Sequence, residues 1–103
     1  MKVENLLHAN QFIIWGKEGI TFQSYESECA RIDEDGVLIL GHDWDYSNTT
    51  LRHLYAFIER CFYNMDYYNQ QYFKYDFETC TNKRAYIQKL IDENKIKYDE
   101  NMR

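Results

Sequence analysis

Ser47-Asn48-Thr49-Thr50-Leu51-Arg52-His53-Leu54-Tyr55-Ala56-Phe57-Ile58-Glu59-Arg60-Cys61-Phe62 is where the hydrophobic period of the chain changes. Leu51, Leu54, Ile58 and Cys61 are spaced three, four and three apart, with Tyr55 and Phe62 alongside. That spacing lays an apolar stripe along one face of a helix. Ser47 or Asn48 is the expected N-cap, because its side-chain oxygen accepts from a free first-turn N–H. The reading is a helix over about 48–63 that covers one face of what precedes it.

What precedes it has the period of strands. Gln11–Trp15 is a short apolar run closed by Gly16. Ile20–Tyr25 alternates, with Ile20, Phe22 and Ser24 on one face, and Gly16-Lys17-Glu18-Gly19 between the two runs reads as a hairpin. Glu28–Asp33 puts Ala30 and Ile32 on one face. Asp33-Glu34-Asp35-Gly36 is a turn in which Gly36 is free to take positive φ. Val37–Leu40 is apolar on both faces, as a buried strand would be. Four short strands in sequence pair most simply as an antiparallel meander over about 10–41.

The chain after the helix is less regular. Residues 64–80 are rich in aromatics, six of them within Tyr67–Phe77. Tyr72–Phe77 alternates weakly and is a candidate fifth strand, while helical turns are equally open for 64–71. A second helix is expected over about 81–94, capped by Thr81 or Asn82 and striped by Tyr86, Ile87, Leu90 and Ile91. Asn94 suits the left-handed position that ends it. The expected fold is α+β, an antiparallel meander of four or five strands with two helices, the first packed across the sheet. Residues 1–103 form a single domain in this reading. Its core centres on Phe12, Ile14, Ile20, Phe22, Ala30, Ile32, Val37, Ile39, Leu51, Leu54, Ile58, Cys61, Ile87 and Leu90.

Composition bounds the function. A chain of 103 residues and 12.6 kDa has surface enough to bury one small core. With 45% hydrophobic and 28% charged residues it is globular in composition. No apolar run approaches the ~18 residues of a membrane span, and no export signal is visible, so a cytoplasmic protein is expected. Cys29, Cys61 and Cys80 match no metal or disulfide framework, which fits a reducing compartment.

Few residues are arranged for chemistry. His42 lies beside Asp43 and Asp45, and an Asp-x-Asp pair near a His can bind a divalent cation through hard oxygens. Against that, carboxylates ahead of a helix favour its positive end, and spacing supplies no third or fourth ligand. Cys61 sits at the wrong end of its helix to form a thiolate. Cys80 is near basic Lys83 and Arg84 but has no general base, and packing is the default for Cys29. No phosphate loop, nucleophile elbow or zinc-protease motif is present. The chain is expected to be no enzyme and to need no cofactor and no metal.

Charge is uneven. Residues 1–60 hold ten acids and five bases, whereas residues 61–103 hold seven of each. Glu26, Glu28, Asp33, Glu34, Asp35, Asp43 and Asp45 face one base, Arg31, between Glu18 and Arg52. Such a field repels nucleic acid and attracts basic surfaces. A strip of Lys74, Lys83, Arg84 and Lys89, interleaved with Tyr72, Phe73 and Tyr75, leaves direct nucleic-acid binding open but disfavoured. Tyr63, Tyr67, Tyr68, Tyr72 and Tyr75 are too many for one small core to bury. Tyrosine gives large contact area with few rotors, so these five are candidate anchors for a protein partner.

Asp45-Tyr46-Ser47-Asn48-Thr49-Thr50-Leu51-Arg52-His53-Leu54-Tyr55-Ala56-Phe57 carries a run, Tyr-Ser-x-Thr-Thr-x-x-His-Leu-x-x-Phe, that resembles a signature of small proteins from phages and mobile elements of low-GC Gram-positive bacteria. Phe22-Gln23-Ser24-Tyr25 and Val37–Leu40 resemble the same group, so the likeness spans about 3–62. The group has no settled activity, and no ligand-binding residue is carried over from it. By analogy, small acidic proteins of this origin include anti-CRISPR proteins that resemble DNA electrostatically and fill basic nucleic-acid channels. The resemblance implies a non-catalytic inhibitor of a nucleic-acid-handling host protein, most concretely a Cas nuclease. Its acidic residues would steer association, and the tyrosines of 63–75 would anchor it. Reversal of Asp33, Glu34 and Asp35 to Lys would then abolish inhibition without unfolding the chain. The alternative is a single-stranded nucleic-acid-binding accessory module that uses the sheet face or the Lys74–Lys89 region, and a homodimer is also open.

Overall fold

The computed structural model describes residues 2–6, 8–17, 19–62 and 70–103, with side chains described for these except residues 6, 8, 9, 62 and 70–74. Among them run six strands, β1 (Lys2–Leu6), β2 (His8–Gly16), β3 (Gly19–Ser24), β4 (Ser27–Ile32), β5 (Leu38–Gly41) and β6 (Lys97–Asp99). Three helices join them, α1 (Asn48–Phe57), α2 (Gln70–Thr79) and α3 (Lys83–Asp92). The strands form one sheet in the order β1-β2-β3-β4-β5-β6. The first five pair antiparallel as a meander, and β6 joins β5 in parallel. The α+β class is as the sequence implies, with more elements than it reveals.

Alternation decides which face of the sheet is buried. Ile13 of β2, Phe22 of β3, Ala30 and Ile32 of β4, and Leu38 and Leu40 of β5 are buried on the face that the helices cover. Register confirms the common face, since Ile13 is opposite Phe22, Phe22 opposite Ala30, and Ala30 opposite Leu40. The core predicted on Phe12, Ile14, Val37 and Ile39 is therefore one residue out of phase in β2 and β5. Phe12–Trp15 and Val37–Leu40 are apolar at every position, so they carry no period to read. In the structure these four residues are half-buried and lie outside the core cluster.

α1 lies across this face. Phe57 stacks on Phe22 with ring centroids 5.7 Å apart, and Leu54 and Ile58 are fully buried beside them. Burial of each such side chain contributes about 1.5–3 kcal/mol. The helix expected to 63 keeps α geometry to Phe57, and Ile58–Phe62 continues it as a π-helix. Tyr72–Phe77, the candidate fifth strand, belongs to α2. Phe77 is its buried contact, edge-on to Tyr55 at 5.6 Å. Asn82 caps α3 by accepting from the Ala85 N–H at 3.0 Å, and Asn94 ends that segment with φ of 61°.

Two strands had no sequence signal. β1 reads Lys-Val-Glu-Asn-Leu and is a strand because β2 pairs with it. β6 is three exposed residues held by Ile39, Leu40 and Gly41 of β5. Its parallel pairing needs a crossover, which the helices supply. Gly19 is the one residue that fits its place in the β2–β3 hairpin, since a Cβ there would lie 2.0 Å from the Ile32 carbonyl oxygen. Among the described residues no helix is long and apolar enough to cross a membrane.

Candidate functional site

The β3–β4 turn and the β5–α1 connection meet at one end of the sheet. β3 and β4 are joined by Tyr25 and Glu26, with Ser24 paired to Ser27. Two-residue hairpin loops ordinarily place glycine where the first residue needs positive φ. Here that residue is Tyr25, with φ of 55°. Its backbone is held on both sides, because its N–H donates to the Asn10 carbonyl at 2.7 Å and its own carbonyl accepts from Gln23 Nε2 at 2.8 Å. A bulky side chain in this region costs of order 1–2 kcal/mol. The ring gains little burial in exchange, being 62% exposed.

The β5–α1 connection also presents a tyrosine. Trp44 is buried in the core and Arg84 lies over its ring at 5.5 Å. The same guanidinium donates to Asp45 Oδ2. Anchored by these two neighbours, the chain turns Tyr46 outward, where it is 80% exposed. Ser47 caps α1, its Oγ accepting from the Thr50 N–H at 3.1 Å. His53 is buried and donates from Nδ1 to the Thr49 carbonyl at 2.8 Å. A carbonyl only accepts, so the proton is on Nδ1.

Between the two tyrosines lies a cleft of about 570 Å³. Ser24, Ser27, Ser47, Thr49 and Thr50 give it hydroxyls, Asp43 one carboxylate and Cys29 a thiol. The Cys29 thiol is pushed up to about 11, chiefly by burial, and donates to the Ser27 carbonyl. Cys61 is raised to about 11 by the same cause. Both are protonated thiols at neutral pH and neither is a nucleophile. Cys80 donates to the Phe77 carbonyl at 3.1 Å.

The seven carboxylates do not converge. Glu28 pairs with Arg31 at 3.0 Å, Asp43 with His42 at 2.8 Å, and Asp45 with Arg84. Asp33 is spent on its own turn, accepting from the Asp35 and Val37 N–H groups at 2.9 Å each, while Gly36 takes φ of 80°. Glu26, Glu34 and Asp35 are exposed. Glu26 stands at one end of β4 and Asp33-Glu34-Asp35 at the other, about 20 Å apart by strand rise. The three-residue reversal at Asp33, Glu34 and Asp35 would therefore disturb folding as well as charge. The His42, Asp43 and Asp45 set is divided too, Asp45 facing Arg84, and the described residues contain no group of three metal-ligating side chains.

Of the predicted tyrosine anchors, Tyr75 is 69% exposed on α2. Tyr63, Tyr67 and Tyr68 lie outside the described residues, as does the side chain of Tyr72. The basic strip is partly engaged, with Lys83 over the Phe77 ring at 5.3 Å and Arg84 on Asp45. Tyr25 and Tyr46 were not singled out as anchors. Their signal was present in the two motif segments, Phe22-Gln23-Ser24-Tyr25 and the run from Asp45 to Phe57.

The residues of that run meet at the cleft: Tyr46 on its rim, Ser47, Thr49 and Thr50 in its wall, His53 behind them. A family model matches residues 1–75, which contain the whole cleft. The chain belongs to DUF8033, a family of unknown function. Membership covers the meander and α1 and leaves α3 and β6 outside the match. No curated protein and no solved structure matches the chain.

Proposed function

We propose that this member of DUF8033 is a non-catalytic binding module that engages a basic protein surface through the Tyr25–Tyr46 end of its sheet. The observation that carries the reading is the pair of displayed tyrosines. One is held in a backbone conformation that disfavours it, and both rings stand in solvent beside a polar cleft. Strain at an exposed aromatic is the kind of local cost that persists for recognition. Tyrosine at the centre of an interface is a common source of binding energy. Glu26 in the same turn is exposed and supplies steering charge toward a basic partner.

The partner class is taken from charge. A net charge of −5 opposes phosphate and favours surfaces built to hold it. The concrete form of the proposal is an inhibitor, carried by a phage or mobile element, of a nucleic-acid-handling host protein such as a Cas nuclease in the bacterial cytoplasm. That form rests on the resemblance of the Tyr46–Phe57 run and on the acidic balance. The carboxylates are split between the two ends of β4, so a tyrosine-anchored contact is favoured over a continuous imitation of DNA.

The test is affinity capture from host lysate, with and without nuclease. A stoichiometric protein partner that survives nuclease and releases with rising salt is the expected result. Retention of nucleic acid, with proteins lost on nuclease treatment, would replace this reading by the accessory nucleic-acid-binding module.

A further inference from the structure

The sheet has two edges, and they differ. β6 is three residues long and ends at Asp99, whose carboxylate accepts from the Asn101 N–H at 3.0 Å as the chain turns away. β1 has five residues and β2 as its one neighbour in the sheet order, so that among the described residues no strand pairs with the outer edge of its backbone. An open edge of this kind is a template for another strand.

The residues on that edge favour one occupant. Lys2 and Glu4 share the helix-side face of the sheet, opposite Trp15 and Ile13 of β2. Val3 lies on the other face, opposite Ile14, and is 53% exposed. We infer that β1 pairs antiparallel with β1 of a second copy of this chain, about a two-fold axis at Val3. In that register Lys2 faces the partner's Glu4, and Glu4 faces the partner's Lys2. Val3 meets the partner's Val3 on the open face, beside the half-buried Ile14 and Phe12. Unlike charges directly opposite stabilise a strand pair and like charges destabilise it. A two-residue slip puts Lys2 against the partner's Lys2 or Glu4 against the partner's Glu4, so the charges select the register. The same arrangement that repels casual partners makes this edge complementary to itself.

The contacts already present accommodate the pairing. Glu4 receives Arg60 on Oε2 at 3.0 Å, which leaves its second oxygen for the partner's Lys2. The Lys2 ammonium lies 5.2 Å from the centre of the Trp15 ring on the same face. Five-residue strands make a small interface, so the dimer is a weak one, populated at tens to hundreds of micromolar, roughly. It carries two copies of the Tyr25–Tyr46 end, and two linked sites raise avidity without a new contact.

The experiment is light scattering on size-exclusion fractions of the whole chain between about 10 and 200 µM, the range in which small interfaces associate. The mass is expected to rise from 12.6 kDa toward twice that value. Lys2→Glu and Glu4→Lys are each expected to weaken dimerisation by about tenfold or more, with unchanged circular dichroism. An equimolar mixture of the two variants is expected to restore the dimer, because each supplies the charge that the other lacks. If Glu4→Lys unfolds through loss of Arg60, Lys2→Glu and Val3→Asp decide the matter alone. Monomer mass throughout for the parent chain, a dimer indifferent to Lys2→Glu, or a mixture of folded variants that stays monomeric would overturn the inference. These readouts involve no binding partner, so they stand apart from the proposed function.

Discussion

The two turns that flank β4 solve the same geometric problem in opposite ways. At the β4–β5 end, Asp33 folds its carboxylate onto two backbone N–H groups and Gly36 takes the positive φ. Each residue there is the type that the local conformation favours. At the β3–β4 end the positive φ falls on Tyr25, whose ring stands in solvent. The first turn is explained by the chain's own stability. The second spends stability, and a nearby connection that is firmly anchored by Trp44 and by Arg84 on Asp45 adds another exposed tyrosine. The contrast is the reason the proposed contact is placed at the Tyr25 end of β4 and not at the Asp33 end.

The largest expected effect is on binding. Replacing Tyr25 and Tyr46 together by Ser should weaken the captured partner's affinity by about 100-fold or more, as the loss of two interface anchors does. Titration calorimetry would measure it, and the thermal midpoint should not fall. Next is the structural turn. Asp33→Ala leaves two N–H groups without their acceptor and should cost about 1–2 kcal/mol in urea unfolding, with partner affinity of the folded chain unchanged. The third probe separates the two currencies within one residue. Tyr25→Gly relieves the left-handed strain and should stabilise the chain by about 1 kcal/mol while weakening the partner by about tenfold. Equal affinity for that variant would make Tyr25 a tolerated oddity. The smallest effect is electrostatic. At low salt Glu26→Lys should slow association by a few-fold, roughly, while Glu34→Lys with Asp35→Lys should change it by less than about twofold. The order reversed would return the charged turn at Asp33–Asp35 to the interface.

Much of the fold was legible because its signals are local. Ser47 as a cap, Gly36 and Asn94 at positive φ, and the Leu51, Leu54, Ile58 and Cys61 stripe all follow from single residues or short spacings. What was illegible depends on partners distant in sequence. Phe12-Ile13-Ile14-Trp15 and Val37-Leu38-Ile39-Leu40 are apolar throughout, and only pairing to β3 and β4 sets which residues turn inward. β1 and β6 exist through their neighbours. The run from Tyr72 to Phe77 has aromatics at positions compatible with either period, and the burial of Phe77 against Tyr55 places it in a helix.

The candidate site was legible in part, and for a related reason. The Tyr46–Phe57 run marked the right segment, since its cap, hydroxyls and histidine are consecutive in sequence. Counting carboxylates did not show that Arg84, 39 residues away, would engage Asp45, and a count also passes over the local pairs Glu28–Arg31 and Asp43–His42. Tyr25 gave no warning of its left-handed backbone. That conformation comes from the Ser24–Ser27 pairing and the hydrogen bond to Asn10, neither of which a single residue reveals.

The most direct test of the account compares the two ends of β4 in one experiment. A photo-crosslinking residue, p-benzoylphenylalanine, is placed at Tyr46 in one preparation and at Asp35 in another, and each is irradiated with the captured partner. The account predicts a covalent adduct from position 46 and none from position 35. Crosslinking from position 35 alone, or equally from both, would contradict it.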